Sequence, residues 1–238
     1  MNSLVLLALA LAPGAGIGLY IYFKDKYEPE PIGLVVLSFF LGVISTLITL
    51  VISLPINWII PIHEQSLSEQ AIHAFLLVAL IEEFSKFIFV RWVLYPNKNF
   101  NEPFDGIVYA VSVSLGFAAL ENILSVMNSE NGITTGILRM FTAVPAHATF
   151  AVLMGYFMGI AKYEKGKKHY VWYGLGAATL FHGAYDYFWF ISYVPGLWTG
   201  AIISLAIGIL LSRKAIRKHQ QASPFIHSGN INPQNEHA

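Results

Sequence analysis

The chain has 238 residues, 55% hydrophobic and only 12% charged, against roughly 25% charged in an ordinary soluble domain. That excludes a soluble globular protein and points to a polytopic membrane protein. Lys plus Arg and Asp plus Glu balance at 14 each, which gives no basic surface for nucleic acid, and with no cysteine there is no disulfide, thiolate metal ligand, cysteine nucleophile or lipidated cysteine.

Seven apolar segments follow one another at roughly 2–23, 32–54, 71–94, 105–127, 134–161, 169–192 and 197–213. Each approaches the ~20 residues a transmembrane helix needs. The first carries no Lys or Arg ahead of its apolar part and runs past signal-peptide length, so it reads as a retained helix. The expected fold is therefore an all-α membrane bundle of about seven helices, one domain over 1–219. The tail, 220–238, is rich in Ser, Pro, Asn, Gln and His and is expected to be disordered.

Basic links alternate with links that have no Lys or Arg. Lys24 and Lys26, then Arg91 and Lys98, then Lys162, Lys165, Lys167 and Lys168, then Arg213, Lys214, Arg217 and Lys218 mark every second connection. By the positive-inside rule this places the N-terminus outside and the C-terminus in the cytoplasm.

Ionisable residues inside spans are costly, about 2.5–3.5 kcal/mol each near the centre on insertion scales, and so mark function. The third segment holds Glu82, Glu83 and Lys86. Glu82–Lys86 and Glu83–Lys86 have pairing distances of i,i+4 and i,i+3, but one lysine leaves one acid over. The fourth holds Glu121 and Asn122, the latter able to bond across helices. The fifth holds His147 after Pro145, a mid-span proline that predicts a kink, with Arg139 expected to snorkel to the outer boundary. The sixth holds His182 and Asp186 on one helix face, where the acid can orient the imidazole or join it as a metal ligand.

At about 1.5 Å rise per residue, Glu82 and Glu83 lie roughly 16–18 Å below the outer boundary, His147 roughly 20 Å, His182 roughly 15 Å, and Glu121 and Asp186 roughly 9 Å. Four successive antiparallel helices can thus share one polar pocket. Gly116, Ala118, Ala119, Gly155, Gly159, Gly174, Gly176 and Gly183 suit close packing around it.

These motifs carry a family resemblance. Glu82-Glu83-x-x-Lys86, Phe117-x-x-x-Glu121-Asn122, His147 on the next helix, His182-x-x-x-Asp186 and the first link Lys24-Asp25-Lys26-Tyr27-Glu28-Pro29-Glu30-Pro31 together resemble the PrsW intramembrane proteases. The wider group includes the CAAX prenyl endopeptidases and the Abi family. Lys86 and Glu121 stand where those relatives usually carry arginine and histidine, which favours the PrsW branch. The resemblance implies a membrane-embedded endopeptidase, multi-pass in a bacterial inner membrane, acting on membrane-anchored proteins such as anti-sigma factors by site-one cleavage. It implies catalytic roles for Glu82, Glu83, Lys86, Glu121, His147, His182 and Asp186.

Amide hydrolysis needs an activated water, a stabilised oxyanion and a proton for the leaving amine. Glu82 or Glu83 is the expected base, Glu82 slightly preferred, with Glu83 holding Glu82's partner or the water itself, Lys86 compensating charge, the two histidines serving oxyanion or proton, Asp186 orienting His182 and Glu121 tuning the pocket. A zinc version would use His147, His182 and Glu121 or Asp186 as ligands; the His-Glu-x-x-His helix of many zinc peptidases is absent. Intramembrane acids and imidazoles also build proton relays, so a proton-coupled transporter or channel is the rival reading. The absence of an inverted repeat argues against it. A retinal-type receptor is excluded because the last segment lacks a Schiff-base lysine.

Overall fold

The structure, a computed structural model, describes residues 3–226 and is all-helical across them. Helices α1 (Ser3–Lys24) and α2 (Ile32–Ile59) are followed by one continuous rod. It consists of α3 (Leu67–Ile72), a π-helical stretch (His73–Ala79), α4 (Leu80–Phe89) and a second π-helical stretch (Val90–Leu94). Next come α5 (Asp105–Asn128), α6 (Gly132–Phe141), α7 (Ala143–Tyr163), α8 (Tyr170–Phe190) and α9 (Thr199–Gln221).

Five of these units are long and apolar enough to cross a membrane: Ser3–Lys24, Ile32–Ile59, Asp105–Asn128, Gly132–Tyr163 and Thr199–Gln221. The rod of α3 and α4, and α8, fall outside that set. They are the two that hold Glu82, Glu83, Lys86, His182 and Asp186.

Several boundaries differ from the sequence expectation, each for a local reason. The rod begins at Leu67 because Ser66 caps it, its hydroxyl accepting from the Glu69 amide at 3.4 Å; Ser-x-x-Glu is the capping-box signature. The fifth segment does not kink at Pro145 but breaks at Thr142 (φ −120°, ψ −73°). A proline ring clashes with the carbonyl four residues back, here that of Phe141, and is tolerated where helical amides have no partner anyway. The chain therefore ends α6 at Phe141 and starts α7 afresh, with Pro145 in its first turn. Helix α9 runs to Gln221, past the apolar segment, burying Ser212, Ala215, Ile216 and His219 at helical spacing. The start of the expected disordered tail is thus helical; residues 227–238 lie outside the described residues.

Helix α5 is the axis of the bundle, packed against α1, α2 and α7, while α7 and α8 pack on each other and on α9. Helix α2 is inverted relative to a soluble helix. Its buried residues are Ser38, Gly42, Ser45, Thr46 and Thr49, whereas Val51, Leu54 and Trp58 are exposed. Lipid tails accept bulky apolar groups, so helix contact is left to small residues that let backbones approach. A Cβ built on Gly116 would sit 1.8 Å from the Phe39 carbonyl oxygen, and one on Gly155 would sit 2.2 Å from that of Gly106. These glycines draw α5 against α2 and α7. Gly176, grouped with them by sequence, has nothing within 4 Å and plays no such part.

The basic links converge on one end. Gln220 Nε2 donates to the Lys24 carbonyl at 2.5 Å, and Lys162 Nζ donates to the Tyr95 carbonyl at 2.6 Å. Tyr163 donates to the Phe100 carbonyl at 2.7 Å. At this end, burial and the neighbouring acids push Asp25 up to about 8 and Glu30 up to about 7.

Overpacking a tight contact costs about 1–3 kcal/mol. Gly116→Ala is expected to destabilise the protein by that amount, and Gly176→Ala to leave it unchanged, in thermal unfolding measured in detergent.

Candidate active site

The third segment solves its problem of one lysine and two acids by dividing the labour. Lys86 Nζ lies 2.7 Å from Glu83 Oε1 and 3.6 Å from Glu82 Oε2. The same ammonium lies 3.3 Å from His147 Nδ1 and 4.0 Å from the centre of the Phe117 ring. Glu83 is fully enclosed, at 0% exposure, and its Oε1 also meets His182 Nδ1 at 2.8 Å. Glu83 therefore joins the rod to α8, and Lys86 joins it to α5 and α7. A charge taken out of water needs such compensation, since its desolvation costs several kcal/mol.

Glu82 is the acid left over. Its side chain is 13% exposed, on the wall of a cavity of about 190 Å³. Its Oε2 has no hydrogen-bond partner among the described residues and stands 3.9 Å from His182 Nε2. Glu121, Arg139, His147, His182, Tyr185 and Asp186 also line this cavity. The π-helical stretch directly before α4 sets this orientation: each added residue turns the helix beyond it by roughly 100°, and π stretches gather at functional sites.

Both histidines are paired with an acid through Nε2. His182 Nε2 lies 3.2 Å from Asp186 Oδ2, the expected i,i+4 pair. His147 Nε2 lies 2.8 Å from Glu121 Oε2. The imidazole rings meet edge to face with centroids 5.3 Å apart, and Phe150 stacks on His182 at 4.9 Å. The Ser114 hydroxyl donates to the His147 carbonyl at 3.0 Å, tying the early part of α7 to α5.

All seven expected site residues thus share one region. Ligand-capable atoms of Glu82, His147 and His182 lie within 4.8 Å of one another. Glu121 and Asp186 support the histidines instead of completing that group.

Arg139 is the residue that sequence reasoning placed elsewhere. It does not reach for the membrane boundary. Its Nη2 lies 2.8 Å from Glu121 Oε1 as an ion pair, without hydrogen-bond alignment, and its Nε donates to Asn122 Oδ1 at 2.6 Å. Asn122 in turn donates to the Ala10 carbonyl of α1 at 3.2 Å. The signal was the arginine itself, a cation inside an apolar span beside a helix that carries an acid. Tyr185, on the cavity wall and 5% exposed, has no sequence signal beyond lying between His182 and Asp186.

A polar cavity of about 190 Å³ inside a helical membrane bundle, with a carboxylate facing two imidazoles that are each paired with an acid, suits the class of intramembrane hydrolases. The comparisons with known proteins agree. A model described as PrsW family intramembrane metalloprotease matches residues 30–212. Protease PrsW of Geobacillus kaustophilus is 37% identical over 205 residues, 85% of each chain. The Bacillus subtilis protein of that name is 36% identical over 168 residues, 69% of this chain and 73% of the relative. The Clostridioides difficile protein is 30% identical over 218 residues, 87% and 88%. No solved structure matches. The chain belongs to the PrsW family of intramembrane proteases. That membership does not favour the transporter reading.

Removing one partner of a buried ion pair costs about 3–5 kcal/mol. Lys86→Met is expected to destabilise by that much, and adding Glu83→Gln to recover part of the loss, in denaturant unfolding of the two variants.

Proposed function

We propose that this chain hydrolyses a peptide bond of a membrane-anchored protein substrate, and that Glu82 activates the water. The observation that supports this most directly is the contrast between the paired acids. Glu83 is fully enclosed and engaged by Lys86 and His182 through Oε1, whereas Glu82 lines the cavity and is partly exposed. In the proposed step Glu82 takes a proton from a water in the cavity, and the hydroxide oxygen bonds to the substrate carbonyl carbon. The histidines, paired with Glu121 and Asp186, face the developing oxyanion. Glu82 then returns its proton to the amine nitrogen as the C–N bond breaks. Lys86 holds Glu83 and His147 in place and offsets the negative charge. Arg139 fixes the Glu121 that orients His147.

The family description names a metal, and the residues fit one by donor type. Two imidazoles and a carboxylate within 4.8 Å of one another, with a buried carboxylate oxygen lacking a partner, match the His₂Glu sets of catalytic zinc. In the metal-bound alternative Glu82, His147 and His182 would hold the ion, and Glu82 would then serve as ligand and not as base. When bound the ion would polarise the substrate carbonyl and acidify a water.

The reading also carries a location and a substrate class. The alternation of basic links supports a cavity in the outer half of the membrane, with the C-terminus cytoplasmic. A bacterial inner membrane, and regulators of the anti-sigma type as substrates, follow from the family resemblance.

The experiment is co-expression with single-span reporter proteins. Glu82→Gln is expected to lower cleavage by about 10²–10⁴-fold with unchanged expression and thermal stability. Asp186→Asn is expected to lower it by about 10–100-fold. Equal cleavage by native protein and Glu82→Gln would defeat the proposal. Purified enzyme assayed after chelation and zinc re-addition decides the metal: full activity in a metal-free preparation removes zinc from the mechanism.

A further inference from the structure

A second set of acids lies far from the active site, in the end of the bundle where the basic links meet. Asp105 begins α5 and Glu121 lies 16 residues along it, about 24 Å at 1.5 Å per residue. Around Asp105 gather Glu102 from the preceding link and Asp25 and Glu30 from the link between α1 and α2. Their exposures are 0%, 1%, 3% and 1%. Oxygens of Asp25, Glu102 and Asp105 lie within 4.8 Å of one another, and the Glu30 carboxyl is within hydrogen-bonding reach of Asp105.

One oxygen of each acid is accounted for by a donor. Asp25 Oδ2 accepts from the Glu30 amide at 3.1 Å, and Asp105 Oδ2 from the Asn101 and Glu102 amides at 2.6 and 2.7 Å. Glu30 Oε2 accepts from the Tyr109 hydroxyl and Glu102 Oε2 from the Ser223 hydroxyl. Asp25 Oδ1, Glu30 Oε1 and Asp105 Oδ1 remain buried with no hydrogen-bond partner among the described residues. No ion pair among the described residues reaches any of the four. Lys162, from α7, is directed to the carbonyls of Tyr95 and Asn97.

Donated hydrogen bonds hold each carboxyl by one oxygen, while the buried Asp25 Oδ1, Glu30 Oε1 and Asp105 Oδ1 have no hydrogen-bond partner among the described residues. We propose that Asp25, Glu30, Glu102 and Asp105 form a binding site for a hard divalent cation, Ca²⁺ or Mg²⁺. The donor set is all oxygen, with no imidazole or sulfur, which suits these ions over zinc. The ligands come from two links that are far apart in sequence, and Ser223 beneath them comes from the segment after α9. A bound ion fastens the α1–α2 link and the end of α9 to the start of α5. This site is separate from the catalytic cavity and serves the scaffold.

The test uses full-length protein in detergent, stripped with chelator and unfolded by heat with and without about 1 mM CaCl₂ or MgCl₂. Either ion is expected to raise Tm by about 5 °C or more. The rise should be the same in Glu82→Gln, which alters the other centre. The double variant Asp25→Asn, Glu102→Gln is expected to lose the ion response. Should that variant not fold, equilibrium dialysis of native protein against ⁴⁵Ca²⁺ or Mg²⁺ reads the same property, with about one ion bound per chain expected. No stabilisation together with no bound ion overturns the proposal and leaves the acids sharing protons. An undiminished response in the folded double variant also overturns it.

Discussion

The enclosed pair of Glu83 and Lys86 is the constraint on which the rest depends. An ammonium and a carboxylate that far from water need further polar partners to offset their desolvation. Each side of the pair therefore recruits a histidine: Lys86 meets His147, and Glu83 meets His182. Three separate rods are fixed by one charge pair, and their approach makes the hollow. In the proposed mechanism the chemistry falls to the neighbouring acid, Glu82, which lines the cavity.

Two kinds of contact hold this polar centre in an apolar medium. Along α2, α5 and α7, glycines and small hydroxyl residues allow backbone-to-backbone approach. The Thr46 hydroxyl bonds the Phe117 carbonyl at 3.2 Å, and Thr49 bonds Ser85 at 2.9 Å. Near the cavity mouth, Arg139, Glu121 and Asn122 form a chain that ends on α1. The first kind sets distances between helices and the second sets side-chain directions. Orientation of the two imidazoles needs both, because a ring can rotate within a well-packed helix interface unless an acid holds one of its nitrogens.

Much of this was legible from residue types. Charged groups inside spans are so costly that Glu82, Glu83, Lys86, Glu121, His147, His182 and Asp186 identified themselves, and the i,i+4 spacing of His182 and Asp186 survived intact in space. That Glu83 would be the one enclosed by Lys86 and His182 was not legible, because adjacent acids look alike until tertiary partners occupy one of them. The break at Thr142 was misplaced to Pro145, since the clash of a proline falls on the turn before it. Arg139 was sent outward because its nearest acid in space lies 18 residues away in sequence (139 − 121), on another helix. The acids at 25, 30, 102 and 105 drew no attention as a group because links are expected to be charged; only the fold takes them out of water.

The π-helical stretch ahead of α4 works as a phase shifter. It leaves the length and oiliness of the rod nearly untouched while fixing the angle at which the acids after it emerge. Loss or gain of a single residue between Leu67 and Ala79 would swing Glu82 by roughly 100°, toward lipid or into a neighbouring helix. Two chains with indistinguishable hydropathy profiles can thus differ in whether they possess a reactive centre at all.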